Sequence, residues 1–177
     1  MAVSTNKDAW ERFNQWLNTR TGLVAIRSYQ AGDRPALPYL MTHLSNVKRV
    51  HDRSRTWYFE ETANLNAGGE FEVLAKPEFE TEWVYQLHSY SEDDPTEVLE
   101  QLRSLIEIPQ YQENYFDDFI IHDIEEITNV PEMIENRWEP RAIAMARVRG
   151  YKIDTAIVDI VGDDLAHAPF TIETFEP

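Results

Sequence analysis

The residues with the most chemical potential in this sequence are histidines and carboxylates. The five histidines are His43, His51, His88, His122 and His167. No two of them stand at a spacing typical of a metal site, so we interpret each as a surface or strand residue rather than as a ligand. The segment HDIEE (122–126) would place His122 and Glu126 on one face of a strand, a weak metal arrangement that nothing else in the sequence supports. We therefore predict no metal site and no cofactor.

Catalytic motifs are also missing. Adjacent acidic residues such as Asp93 and Asp94 are expected by chance among 32 Asp and Glu, and an acid–base pair needs side chains that converge in space. The chain has no cysteine and therefore no thiol nucleophile. No serine lies in a nucleophile elbow, and Gly68-Gly69 is not followed by the lysine and helix of a phosphate loop. The sequence predicts that the protein is not an enzyme.

The densest basic segment is KRVHDRSR, residues 48–55, which contains Lys48, Arg49 and Arg53. Surfaces that bind single-stranded nucleic acid combine such cations with aromatic side chains, which this segment lacks. We interpret it as a strand end and turn that contacts an acidic surface of a partner.

Charge is distributed unevenly along the chain, whose net charge is −16. Residues 1–55 hold nine Lys and Arg against four Asp and Glu, whereas residues 56–140 hold three against 22. The total argues against generic binding to nucleic acid, because that binding depends on cations. A basic beginning and an acidic middle can attract two copies head to tail if they fold onto different faces. The alternative is that the acidic stretch is a solvated surface that keeps the protein soluble.

Hydrophobic patterning predicts the elements that position these residues. We expect a helix at 6–20, strands at 23–29, 39–50, 56–62 and 79–90, a helix at 91–108, a strand at 119–127 and one or two strands at 141–161. Segments 65–74, 110–118 and 128–140 are predicted to be a turn or tip, an irregular stretch and a connector. Thr5, Asp8 and Gly22 resemble the caps of the first helix, whose Trp10 and Trp16 we assign to the core or a subunit contact.

The strand at 79–90 gives the clearest signal, because apolar and polar residues alternate along it. Phe79 to Leu87 at odd positions should be buried, and Glu80, Glu82, Gln86 and His88 should face water. Gly150 is interpreted as a kink, bulge or turn. The pattern predicts one α+β domain over residues 1–177, a mostly antiparallel β-sheet with two main helices packed on one face. No run approaches the roughly 18 apolar residues of a membrane span, and no signal peptide is present, so we expect a cytoplasmic origin and no membrane partner.

The segment SYQAGDRPALPYLM (28–41) is predicted to be a rigid hairpin corner. Gly32 would allow the chain to turn between two strands. Pro35 and Pro38 would stiffen the approach to the next strand. Arg34 is expected to bind a carboxylate, on this subunit or on a neighbouring one.

The order of these landmarks resembles that of phage neck terminator proteins of the tail-terminator class. In that family a short helix precedes an RP-x-x-PY-like segment, and a later polar-Arg segment opens an alternating strand. The matching residues here are Arg34, Pro35, Pro38 and Tyr39, followed by Arg137, Trp138, Glu139 and Arg141. The resemblance covers most of residues 8–160.

The resemblance implies a structural virion protein of the tail or neck. Such proteins form a ring, typically of six copies, on the end of the tail tube, stop its growth and offer a docking face to the head-side connector. The expected partners are therefore further copies of the chain, the tube protein, the connector and any sheath protein, with DNA passing through the channel. Acidic residues lining that channel would repel the DNA. Candidate interface residues are Arg34, Pro35, Pro38, Tyr39, Lys48, Arg49, Arg53, Arg137, Trp138 and Arg141, and the tail at 163–177 is expected to order only in the assembly.

A second hypothesis is an acidic inhibitor that mimics DNA and occupies a host nucleic-acid-binding protein. The 22 carboxylates within residues 56–140 permit it. A mimic needs its charges in a regular exposed row, however, and many of these carboxylates alternate with aromatic and branched residues. That alternation is typical of one face of a sheet in a packed domain, and it argues against the DNA mimic.

Overall fold

The computed structural model describes residues 5–29, 34–65, 71–113, 119–134, 137–154 and 156–158. The helices are α1 Asn6–Thr21, α2 Pro95–Ile106 and α3 Gln110–Glu113. The strands are β1 Val24–Arg27, β2 Tyr39–Arg49, β3 Thr56–Leu65, β4 Phe71–Tyr90, β5 Phe119–Ile124, β6 Thr128–Asn129, β7 Glu132–Ile134, β8 Arg137–Glu139, β9 Arg141–Ile153 and β10 Ala156–Val158. The predictions for Gly32, Gly68-Gly69, segment 114–118, His167 and the tail at 163–177 lie outside the described residues.

Eight strands form one sheet, whose central path runs β1-β2-β4-β9-β5. Every pairing in it is antiparallel except that of β1 with β2. Strand β6 pairs with the start of β9, and β7 pairs with β8 in a separate hairpin. The predicted α+β class with a mostly antiparallel sheet is confirmed.

Strand β4 is long enough to belong to two parts of the sheet. Its second half pairs with β2 on one side and β9 on the other. Its first half pairs with β3 and β10. We call this three-stranded part, made of β3, residues 71–78 and β10, the arm. The strand predicted at 56–62 therefore continues to Leu65, and the predicted tip at 65–74 is already strand from Phe71 onward.

The core lies between one face of the sheet and the helices α1 and α2. Trp83, Tyr85 and Leu87 are buried on that face of β4, as the alternation predicted. The helices contribute apolar stripes that include Phe13, Trp16, Leu17, Leu99 and Leu102. Strand β9 presents Ala142, Ala144 and Ala146 to the core, and these small side chains leave room for the bulky helix residues. None of the described helices is long and apolar enough to cross a membrane.

The caps of α1 are those that the sequence predicted. Thr5 accepts a hydrogen bond from the Asp8 amide, and the Asp8 carboxylate accepts one from the Thr5 amide. Gly22 ends the helix with φ at 70°, and its amide donates to the Asn18 carbonyl. An alanine methyl group at this position would meet no atom within 4 Å, so only the left-handed backbone disfavours it.

Because that backbone strain acts alone, we expect Gly22→Ala to lower the free energy of unfolding by about 1 kcal/mol. Urea titration followed by circular dichroism measures the change. Gln15→Ala, at an exposed position inside α1, is the matched control and should shift stability by less than about 0.5 kcal/mol. Equal effects from the two variants would contradict the strain argument.

Three predictions about local structure are wrong. Strands β1 and β2 are parallel, so the segment between them is a crossover rather than a hairpin corner. Gly150 forms neither a bulge nor a turn, because β9 continues through it and pairs with β4 without a register shift from Arg141 to Ile153. The segments predicted as irregular or connecting contain α3 at 110–113 and the strands β6, β7 and β8 within 128–140.

The second face of β4 also differs from the prediction. Glu82 and His88 were expected to face water, yet both are buried. Glu82 is covered by cationic side chains from neighbouring strands, and His88 lies beside the stacked Tyr90 ring. Burial, assisted by nearby Arg141, lowers the pKa of His88 to about 4. His88 is therefore neutral at pH 7, as its burial requires.

Candidate functional site

The two sequence motifs that carried the family resemblance meet at one end of the sheet. There Tyr39 at the start of β2, Tyr90 at the end of β4 and Arg141 at the start of β9 are neighbours in register. Arg34 reaches the Glu139 carboxylate at 3.7 Å and lies over the Tyr90 ring, 5.9 Å from its centroid. The carboxylate expected for Arg34 is thus found on the same subunit. We call the end of the sheet at Tyr39, Tyr90 and Arg141, with the segments that border it, the motif end.

Tyr90 connects the two motifs at the motif end. Its ring stacks on Tyr39 with the centroids 4.7 Å apart. Its hydroxyl donates to Glu132 at 2.9 Å, and Arg141 donates to the same carboxylate at 3.0 Å. Burial raises the pKa of Tyr90 to about 12, against the hydrogen bond from Arg141. Stacking and ion pairing therefore fix both sequence motifs to the sheet.

Besides Arg34, which pairs with Glu139, the motif end exposes apolar and acidic side chains. Met133 and Trp138 pair across the β7–β8 hairpin and are 57% and 66% exposed. Five residues after Tyr90, α2 begins, and the exposed carboxylates around its start are Glu92, Asp93, Asp94 and Glu97. Of these, Asp94 caps the helix by accepting from the Thr96 amide.

Not every candidate at the motif end is available to a partner. Pro35 is half-buried and Pro38 is exposed. Tyr39 is buried against Tyr90 and acts inside the subunit. The side chain of Arg137 lies outside the described part of the structure.

The remaining candidates, Lys48, Arg49 and Arg53, lie at the opposite end of the sheet. Arg49 pairs with Thr81, nine residues along β4 from Tyr90, which corresponds to about 30 Å at roughly 3.3 Å per residue. Arg49 binds Asp154 at 3.0 Å and lies over the Phe79 ring. Arg53 is exposed and forms no ion pair within the described part of the chain. We call residues 48–59 the basic end.

Three consecutive aromatic residues complete the basic end, and sequence reasoning missed their importance. Trp57, Tyr58 and Phe59 on β3 are all exposed. Trp57 and Phe59 point to the same side of the arm and their ring centroids are 6.5 Å apart. The available signal was the run WYF, because a strand with one buried face places aromatic residues at alternate positions.

Beside the basic end lies a buried ion network around Glu82, which the sequence did not predict. The carboxylate is 3% exposed and is met by Lys48 at 2.8 Å, His122 at 3.1 Å, and Arg147 and Arg149 at 3.2 Å. These partners come from β2, β5 and β9, so the network connects four strands. Burial tends to raise the pKa of Glu82, but hydrogen bonds from Lys48, Arg149 and His122 hold it at about 2.

This network has a structural character rather than a catalytic one. A carboxylate with a pKa near 2 carries no proton to donate near neutral pH, and here its lone pairs are already occupied. His122 contacts Glu82, whereas the sequence had paired it with Glu126. In the described ranges, no three His, Asp or Glu residues come together in a way that could hold a metal ion.

Comparison with known protein families identifies the family of this chain. A family model of phage neck terminator proteins matches residues 7–173 of the 177-residue chain. The chain belongs to this family. No curated protein matches it. The match confirms the resemblance and includes the motif end, the Glu82 network and the basic end. This neck terminator is therefore a structural protein of the phage tail and neck, and it associates with other tail and head proteins.

Proposed function

We propose that this neck terminator forms a ring at the head-proximal end of the phage tail, ends growth of the tail tube and joins the tail to the head connector. The observation that carries the proposal is that opposite ends of one sheet expose unlike surfaces. When two copies join through unlike surfaces, the pair still has one free surface of each kind, so that further copies close it into a ring or extend it as a filament. Six copies are the number that the family resemblance implies.

The charge of the chain supports a role around moving DNA. With a net charge of −16, the ring surface disfavours binding of phosphate groups, so DNA would pass through the channel without adhering. The proposed partners are other copies of the chain, the tube protein, the head-side connector and any sheath protein. The proposed role involves no catalysis and no cofactor. Because the family is one of neck proteins, this role is favoured over the DNA mimic.

Electron micrographs of a phage whose copy of this gene carries an early stop codon test the proposal. We expect filled heads separate from tails, and tails whose tubes exceed the normal length, because nothing ends their growth. Supplying the intact protein from a plasmid should restore joined particles with tubes of uniform length. Joined particles of normal length without the protein would overturn the proposal. Their appearance, with the protein bound to a host DNA-binding protein, would favour the DNA mimic.

A further inference from the structure

We infer that neighbouring copies meet by a single unlike contact, in which the basic end of one copy lies against the motif end of the next. The contact joins Arg53, Trp57 and Phe59 on one side to the acidic start of α2 and the β7–β8 hairpin on the other. This inference rests on the proposed ring and identifies the surfaces that close it.

Charge complementarity gives the first argument. Segment 48–55 holds four Lys and Arg and one Asp, whereas segment 92–97 holds four carboxylates and no base. Several of the basic side chains are already engaged within the subunit, but exposed Arg53 has no carboxylate partner in the described structure. Likewise Glu92, Asp93 and Glu97 form no ion pair with any described residue. The charged side chains without an ion-pair partner in the described structure are therefore of opposite sign on the two surfaces, and opposite charges favour correct docking.

Exposed apolar area gives a second and independent argument. Trp57 and Phe59 are 53% and 58% exposed beside the basic turn. Met133 and Trp138 are exposed to a similar degree at the motif end. Aromatic residues, Met and Arg are enriched in protein interfaces, and contiguous exposed apolar patches mark interaction sites. Each surface therefore combines charge with aromatic or apolar area, as a protein interface requires.

The occupant we infer is a second copy, because the chain itself carries both complementary surfaces. The two ends are separated by about 30 Å along β4, so they cannot meet within one subunit. A contact between two basic ends would bring like charges together, and the same holds for two motif ends. A contact between unlike ends of two copies brings opposite charges together and also buries the exposed apolar side chains of both ends.

Engineered cysteines test this contact directly, because the chain contains none of its own. A chain with both Arg53→Cys and Asp93→Cys is treated with a short bis-maleimide, first in solution and then on tails isolated from complemented phage. We expect a ladder of covalent oligomers that ends at the full ring. Chains with one cysteine should remain uncrosslinked alone and give only dimers when the two kinds are mixed.

Several results would overturn the inference. One is the absence of a ladder both in solution and on tails. Another is cross-linking of either single-cysteine chain alone as efficient as that of the mixture, which would indicate like-with-like contact. If particles are joined normally while no ladder forms, the neck function stands and this interface is wrong.

Charge-reversal variants test the same contact in a way that does not depend on the length of the cross-linker. Arg53→Glu should weaken self-association about tenfold or more, and adding Asp93→Arg in the same chain should restore it by recreating the pair with reversed sign. The control is Glu107→Arg, an exposed acidic residue at the far end of α2, which should leave self-association unchanged. Equal loss from the control, or no rescue by the second change, contradicts the proposed contact. Native mass spectrometry over a range of concentrations measures the effects.

Discussion

Replacing Glu82 with glutamine is expected to lower the free energy of unfolding by about 1–3 kcal/mol at pH 7. The carboxylate is buried and receives hydrogen bonds from four cationic or histidine side chains on three strands. An amide has one acceptor oxygen and would turn its own NH₂ group towards the remaining cations. The loss stays below that of a fully buried ion pair, because Lys48, Arg147 and Arg149 are one-third to one-half exposed and regain water.

Urea titration of both proteins at pH 7 measures this difference. The matched control is Glu107→Gln, which removes an exposed carboxylate without an ion pair among the described residues, and it should change stability by less than about 0.5 kcal/mol. A Glu82→Gln effect no larger than that of the control would show that the network does not stabilise the sheet.

Acid gives the Glu82 prediction a distinctive signature. The folded state lowers the pKa of Glu82 from 4.5 to about 2, so its stabilising contribution is complete above the ordinary value and is lost as pH falls from about 4.5 towards 2. The stability gap between the wild type and Glu82→Gln should therefore be constant above about pH 5 and close over that interval. Other carboxylates titrate in both proteins and largely cancel in the difference. A gap that widens on acidification would contradict the assigned sign.

Replacing Trp16 with alanine is expected to have the largest effect of any change considered, a loss of about 3–5 kcal/mol. Its side chain has no exposed area and lies in the core between α1 and the sheet. Its indole nitrogen also donates to the Tyr111 carbonyl at 2.8 Å, which attaches α1 to α3. Removal would leave a cavity and take one hydrogen bond from that carbonyl, although Arg20 also donates to it.

Trp138→Ala is the informative comparison for Trp16→Ala, because the same side chain is removed from an exposed position. It should change the free energy of unfolding by less than about 0.5 kcal/mol while weakening self-association through the motif end. Thermal and urea unfolding measure stability, and native mass spectrometry measures association. If Trp16→Ala unfolds as the wild type does, or Trp138→Ala is equally destabilised, the assignment of core and surface tryptophans is wrong.

Sequence patterns sufficed for features that depend on near neighbours. The caps of α1 follow from Thr5, Asp8 and Gly22, and the alternation at 79–90 predicted the buried face of β4. The Glu82 network could not be predicted in this way, because its partners stand 34 to 67 positions away in the chain. Their meeting depends on which strands become neighbours and in which register, and local composition does not encode either property.

The same limit explains why the candidate interface residues separate into two groups in the fold. Motifs and charge group ten residues as one candidate set, but the fold places seven at the motif end and Lys48, Arg49 and Arg53 at the basic end. The hairpin predicted at 28–41 failed for a related reason. Gly and Pro indicate that the chain changes direction, whereas the parallel pairing of β1 with β2 depends on where the chain goes afterwards.

The continuity of β4 has a mechanical consequence for a ring built as proposed. Because one uninterrupted strand runs from Phe71 in the arm to Tyr90 at the motif end, the arm has no hinge along β4 and changes orientation only with the sheet itself. Two surfaces mounted on one stiff element keep a constant angle to each other. Copies joined through them would turn by the same increment at every step, so the curvature of β4 and its sheet would set how many subunits complete the circle.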